Sequence, residues 1–251
     1  MAEKHYFEQI KYTREYLIPY FERYLPDFRQ MRILEIGCAE GGFLDVLHQQ
    51  GILNIQGLEL EESRVRIALN KNPELDIHTG DITDPQVTEI FRQPFDLILM
   101  RDTIEHIADR DKTFAHLNTL MNPGGYLYIT FPPRFSGFAG HQQNGRTFLR
   151  MIPYLHLLPA FLLRLFGRML NEKPHVIEAA IMNYRIGLTI RKFKKYYTEF
   201  GFQPYQADLF LFRPVYQFRF HLRPLKFPNI PLLREFLAFG CEYLLQKTVN
   251  K

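Results

Sequence analysis

Between Met31 and Pro133 five short apolar runs alternate with amphipathic stretches, and this order constrains the fold more than anything else in the 251-residue chain. Parallel strands need crossover helices between them and are covered on both faces, so they read as near-continuous apolar runs. The runs fall at 31–36, 54–60, 75–78, 95–100 and 125–131. Helices are expected between them: one opening near Gly41, one from Glu62, one near Pro85, and one through DRDKTFAHLNTLM, closed by the Asn122-Pro123-Gly124-Gly125 breaker. Ahead of the sheet, His5 to Tyr24 spaces Phe7, Ile10, Leu17 and Phe21 as one amphipathic helix, within a cap over 1–29.

After Pro133 the character changes. A loop rich in Gly and Pro, PPRFSGFAGHQQNG, leads into the apolar stretch FLRMIPYLHLLPAFLLRLFGRML, so 134–185 is expected to be a helical insertion or lid after the fifth strand. Arg150, Arg164, Arg168, His156, Pro153 and Pro159 interrupt that stretch, and a membrane-spanning helix needs about 20 predominantly apolar residues. Regular pattern resumes with the helix LTIRKFKKYYTEFGF and strands expected at 205–213 and 216–221. A final amphipathic helix is expected within 228–251. The whole chain, 1–251, is therefore expected to form a single α/β domain: a seven-stranded, mostly parallel sheet with helices on both faces and a helical insertion.

Charge divides at the same point. Residues 1–133 hold 13 Lys and Arg against 21 Asp and Glu, and residues 134–251 hold 18 against 6. Cations interleaved with Phe, Leu and Pro suit an anionic membrane surface or an acidic, lipid-like substrate better than nucleic acid. The apolar stripe LHLLPAFLLRLF also admits a packed lid or a homodimer face. Only Cys38 and Cys241 are present and no signal-peptide core is legible near the N-terminus, so the expected compartment is the cytoplasm, with membrane association. The scattered histidines and two distant cysteines have no metal-ligand spacing, so no metal site is expected.

The strongest local signal is ILEIGCAEGGFL, a strand ending at Ile36 and a helix starting near Gly41, with the glycines in the turn between. Such turns cradle ligands, because Gly37 admits backbone geometry that a Cβ forbids. A dinucleotide fingerprint would put glycine where Ala39 stands, and Glu35 beside the turn repels phosphates while suiting a cationic amino-acid group. Glu59, ending the next strand, lies where doubly wound nucleotide folds place an acid on ribose hydroxyls. As a lone feature it also fits a solvated strand end. Asp81 in TGDITD is placed to accept from an adenine amino group while Ile82 packs on the ring, or else to cap a helix. FDLILMRDTIEHI delivers Met100, Arg101 and Asp102 to the same rim, with Glu105 and His106 just beyond. The last two fit a helix start as well as a substrate contact. His141 in AGHQQ follows the fifth strand on a Gly-rich loop, as a candidate base or a solvated histidine. His156 reads as a core or interface histidine.

The spacing of ILEIGCAEGG, GLEL, GDI, FDLILMRDTIEHI and GGYLYITFPP resembles the class I S-adenosylmethionine-dependent methyltransferases, with their Rossmann-like sheet, and within them the quinone-biosynthesis and small-molecule branch. The resemblance covers about residues 30–133 and, more weakly, 186–221. It implies a cofactor set of Glu35, Gly37, Cys38, Gly41, Glu59, Leu60, Asp81, Ile82, Met100 and Arg101. Glu35 and Gly37 would lie by the methionine part, Glu59 at the ribose, Asp81 and Ile82 at the adenine, and Met100 and Arg101 near the sulfonium. Cys38 departs from the small or polar residue often found there.

The expected activity is methyl transfer from S-adenosylmethionine, leaving S-adenosylhomocysteine, to a hydrophobic or lipid-linked small molecule by O-, N- or C-methylation. His141 and His106 are the candidate bases. Alternatives are a methyltransferase acting on RNA or protein, and a non-catalytic scaffold that keeps the cofactor.

Overall fold

The computed structural model describes residues 2–249. The cap comes first: α1 (Ala2–Tyr12), a π-helical turn at Thr13–Leu17, and α2 (Ile18–Tyr24). The expected single helix is thus interrupted just ahead of Pro19, which has no amide hydrogen to return to the preceding turn. The alternating core follows as β1 (Ile33–Ile36), α3 (Gly42–Gln49), β2 (Ile55–Glu59), α4 (Glu62–Lys71), β3 (Ile77–Thr79), α5 (Val87–Ile90), β4 (Phe95–Arg101), α6 (Arg110–Leu120) and β5 (Met121–Phe131). All five expected strands are present. The Asn122–Gly125 breaker ends α6 but is absorbed into an irregular start of β5, where the register against β4 slips between Phe95 and Leu97.

Beyond β5, the insertion carries α7 (Ala160–Met169) and α8 (Pro174–Ile186), followed by α9 (Ile190–Glu199), β6 (Phe202–Phe212), α10 (Pro214–Phe220), β7 (Leu225–Lys226), α11 (Leu233–Leu237) and β8 (Gly240–Lys247). The sheet order is β3-β2-β1-β4-β5-β8-β6-β7, with β1 to β5 parallel and β8 antiparallel between β5 and β6.

Three expectations are corrected here. The sheet has eight strands rather than seven, the extra one being the two-residue edge strand β7. The stretch 216–221 is helical, because Pro214 removes a ladder donor and sits at the first turn of α10. GCEYLLQK, expected in a terminal helix, is β8. Its first six residues are all buried between two neighbouring strands, and burial on both faces leaves no alternation to distinguish strand from helix.

The sheet separates two apolar layers, and alternate residues of its central strands feed them. Ile33, Leu97 and Leu99 pack with Phe21, Phe28 and Phe43 on one side. Leu34, Ile98 and Met100 pack with Phe114, Phe131 and Phe193 on the other. A small third cluster of Leu149, Leu155, Leu163, Ile177 and Ile181 holds the insertion together.

One carboxylate is built into the sheet. Glu242 on β8 is 2% exposed and accepts hydrogen bonds from the Tyr16 hydroxyl at 2.8 Å and the Tyr128 hydroxyl at 2.9 Å. Burial pushes its carboxyl up to about 7 against the pull of those hydrogen bonds. A folded-state pKa above the unfolded value means stability is full below the unfolded value and is lost as pH rises through the folded one. The native chain should therefore lose on the order of 3 kcal/mol between about pH 4.5 and pH 7 from this group. Glu242→Gln should flatten that slope. Thermal melts of both proteins at pH 5 and pH 8 check it, and parallel curves would exclude an ionising Glu242.

Candidate active site

The carboxyl ends of β1, β2 and β4 and the loop after β5 form one rim. At its centre the turn after β1 places Gly37 at φ +74° and Gly41 at φ +73°, with Ala39 between them at φ +52°. A Cβ on Gly37 would run into the Thr103 side chain, so the position takes glycine for space as well as for conformation.

Five amides at this turn are already engaged. Gly37 and Cys38 donate to the Leu58 carbonyl at 2.7 and 3.3 Å, and Gly41 donates to the Cys38 carbonyl at 3.0 Å. Ala39 donates to Glu59 Oε2 at 2.8 Å, and Gly42 donates to Gln9 Oε1 of the cap at 3.1 Å. A diphosphate here would face Glu35, Glu40 and Glu59, all buried.

Glu35 is fully buried and takes Arg101 Nε at 2.8 Å on one oxygen, while its other oxygen, Oε2, is buried with no hydrogen-bond partner among the described residues. Burial raises its pKa and Arg101 pulls it back. The Arg101 guanidinium also lies 5.2 Å from the centre of the Phe43 ring. Glu59, 7% exposed, is a fastener rather than a solvated strand end, since its two oxygens hold the Ala39 and Glu61 amides. Leu60 beside it is 66% exposed, an apolar surface on the rim.

Asp81 is exposed and accepts from the Thr83 amide and hydroxyl, both at 2.8 Å. Ile82 (3% exposed) and Met100 (0%) point into the core, and Cys38 is buried, its thiol pushed well up by burial. The rim thus brings together Glu35, Gly37, Gly41, Glu59, Leu60 and Arg101, whereas Cys38, Ile82 and Met100 pack beneath it.

A second cluster lies past β4. Asp102, at φ +52°, pairs with Arg213; burial alone would raise its carboxyl, but the guanidinium holds it below the usual range. Glu105 is 4% exposed, and both of its carboxyl oxygens are buried without a partner among the described residues. Burial pushes its pKa well up, and nearby Asp102 adds to that. His106 Nε2 is 4.0 Å from Glu105 Oε1, and His106 Nδ1 is 3.2 Å from Asn183 Oδ1 on α8.

The His141 ring packs edge-on to His106 with centres 4.9 Å apart. Burial and the neighbouring His106 depress His141 to about 4, and burial also lowers His106. Both rings are therefore neutral near pH 7. Glu105, His106 and His141 bring three potential ligand atoms within 4.8 Å of one another, a set able to hold a proton or a divalent cation. Sequence spacing gave no sign of it, because the fold supplies His141 from a distant loop. His156 is fully buried against the Arg134 carbonyl at 2.9 Å, as a core histidine would be.

Residues that sequence reasoning missed come from far along the chain: Gln9, Asn183 and Arg213. Arg213 precedes Pro214 at the end of β6 and has no local motif. Only the insertion of β8 between β5 and β6 brings it to Asp102.

A parallel five-strand core with a glycine turn after β1 and an acid ending β2, extended by an antiparallel strand next to β5, defines the class I methyltransferase fold. The family pattern described as a methyltransferase domain matches residues 7–179, and the chain belongs to that family. Phosphoethanolamine N-methyltransferase 2 of Caenorhabditis elegans is 27% identical over 124 residues, 49% of this chain and 28% of that protein. A ubiquinone biosynthesis O-methyltransferase of Caulobacter vibrioides is 26% identical over 126 residues, 48% of this chain and 50% of that one. The chain thus spans half or less of the length of these curated relatives. The crystal structure of an S-adenosylmethionine-dependent methyltransferase from Mesorhizobium loti shares the fold with a TM-score of 0.57 at 17% identity, covering 91% of this chain and 96% of that one. Among the described residues no helix is long and apolar enough to cross a membrane.

Proposed function

We propose that the chain transfers the methyl group of S-adenosylmethionine to the hydroxyl or amine of an apolar small molecule. The observation that carries this reading is a buried, unpartnered Glu35 oxygen beside a glycine turn lined by two further buried acids, Glu40 and Glu59. That arrangement rejects phosphate and leaves one acceptor wanting a donor, which an ammonium supplies.

The residues present fit this cofactor. Glu35 Oε2 would take its ammonium, Arg101 its carboxylate, Glu59 the ribose diol through the remaining lone pairs, and Leu60 and Asp81 the adenine. Bound there, S-adenosylmethionine supplies a methyl group on a sulfonium, a leaving group that needs no covalent help from the protein.

What the chain adds is placement and proton handling. With His106 Nδ1 donating to Asn183 Oδ1, its Nε2 is left as the nitrogen that can accept a proton. His141 stands neutral beside it, and Glu105, its pKa raised by burial, has Oε1 4.0 Å from His106 Nε2. The names of relatives support both N- and O-methylation, and the apolar insertion over 134–185 supports a hydrophobic acceptor.

Isothermal titration with S-adenosylmethionine and its thioether product is expected to give saturable binding. Radiolabelled methyl should then pass into solvent-extractable phenols, quinols or amines. Binding without transfer to any acceptor, or binding of a dinucleotide in preference, would overturn the reading.

A further inference from the structure

We infer that the outward face of α7 docks the chain on an anionic lipid surface. Helix α7 buries Leu163 and Gly167 against Ile177 of α8, and this contact occupies its inner face. The opposite face is apolar too. Phe161 is 67% exposed, Leu165 48%, Phe166 36% and Met169 71%, and earlier in the same insertion Phe148 and Met151 are exposed at 58% and 71%. At about 100° per residue, Phe161, Leu165 and Met169 make one stripe roughly 80° wide.

Arg164 and Arg168 follow one ridge over, along the edge of the stripe. Arg164 is tied to Glu178, but Arg150 and Arg168 are exposed and meet no acid among the described residues. No Asp or Glu occurs anywhere from Phe148 to Leu170.

A second copy of the chain fits this face poorly, because a two-fold contact through α7 would bring like cations together in an apolar setting. A surface of anionic headgroups over acyl chains complements both features: the apolar stripe enters the acyl boundary while the arginines meet phosphates. Ten residues span about 15 Å, too short to cross a bilayer, so the helix lies along the interface. The docking rests on the surface alone, and its failure would leave the reading of the cofactor site untouched.

The chain contains no tryptophan, so Leu165→Trp installs a single reporter on the stripe. With vesicles of phosphatidylcholine containing phosphatidylserine, its emission is expected to shift to the blue and to be quenched by brominated acyl chains. In sedimentation, the native chain should bind these vesicles more than about tenfold better than pure phosphatidylcholine, with the preference fading in high salt. Arg150→Gln with Arg168→Gln should remove most of that preference, and Phe161→Ser with Leu165→Ser and Met169→Ser should remove binding while thermal melting stays native-like. No spectral shift, or equal sedimentation of native and serine-substituted chains, overturns the inference. So does a native dimer that the serine substitutions dissociate without any vesicle binding, which would make this face a contact between copies.

Discussion

Glu59→Ala is expected to weaken binding of S-adenosylmethionine and its thioether product by at least about a hundredfold, equivalent to some 3 kcal/mol. The argument starts from what the carboxylate does without ligand. It holds the Ala39 amide at 2.8 Å and the Glu61 amide at 3.0 Å, so it ties the end of β2 to the glycine turn after β1 and sets the cradle's shape. Each oxygen keeps a further lone pair for the ribose diol, and hydrogen bonds to a charged group contribute about 1.5–3 kcal/mol apiece. Alanine removes both roles, while Glu59→Gln keeps a carbonyl for one amide and should fall between. Isothermal titration below the melting temperature of each variant reads the affinities. An alanine variant that binds within about threefold of the native chain would mean that the acid only braces the turn and that the ribose lies elsewhere.

The turn itself was legible because its chemistry is local. A strand, a glycine at positive φ and a helix start occupy a dozen consecutive residues, and the acids at 35 and 59 follow at strand ends. What the sequence hid is non-local. The burial of GCEYLL on both faces erases the alternation that would mark it as a strand, so the segment reads as helix in sequence and the sheet's closing order is hidden with it. Cys38, Ile82 and Met100 belong to motif positions, yet strand alternation turns Met100 to the core, and the loops after β1 and β3 turn Cys38 and Ile82 inward, which motif spacing alone does not show. Arg213 and Asn183 reach the site through topology, from β6 and α8, and no neighbouring residue announces them. His141 reads in sequence as a candidate base or a solvated loop residue; the structure places it half-buried beside His106, where burial first and that ring second depress its pKa.

Replacing both histidines, His106→Gln with His141→Asn, is expected to lower turnover by at least about a hundredfold while leaving S-adenosylmethionine affinity unchanged. The substitutions are chosen to spare the backbone. His141 sits at φ 57°, a conformation asparagine tolerates, and glutamine at 106 keeps a donor within reach of Asn183. A loss confined to turnover separates proton removal from cofactor positioning, since neither ring lies at the Glu35 to Glu59 end of the rim. The pH dependence gives an independent reading. A base depressed by burial stays unprotonated well below the ordinary histidine value, so the acid limb of the native profile should fall between pH 6.5 and the value of about 4 held by His141. Stability follows the same window with the opposite sign to Glu242: a folded-state pKa below the unfolded one makes His141 stabilising above pH 6.5, and that contribution is lost as pH falls toward 4. The double variant should therefore show both a lower rate and a shallower acid loss of stability. Full turnover in the double variant would assign the reaction to alignment alone, with the acceptor entering already deprotonated.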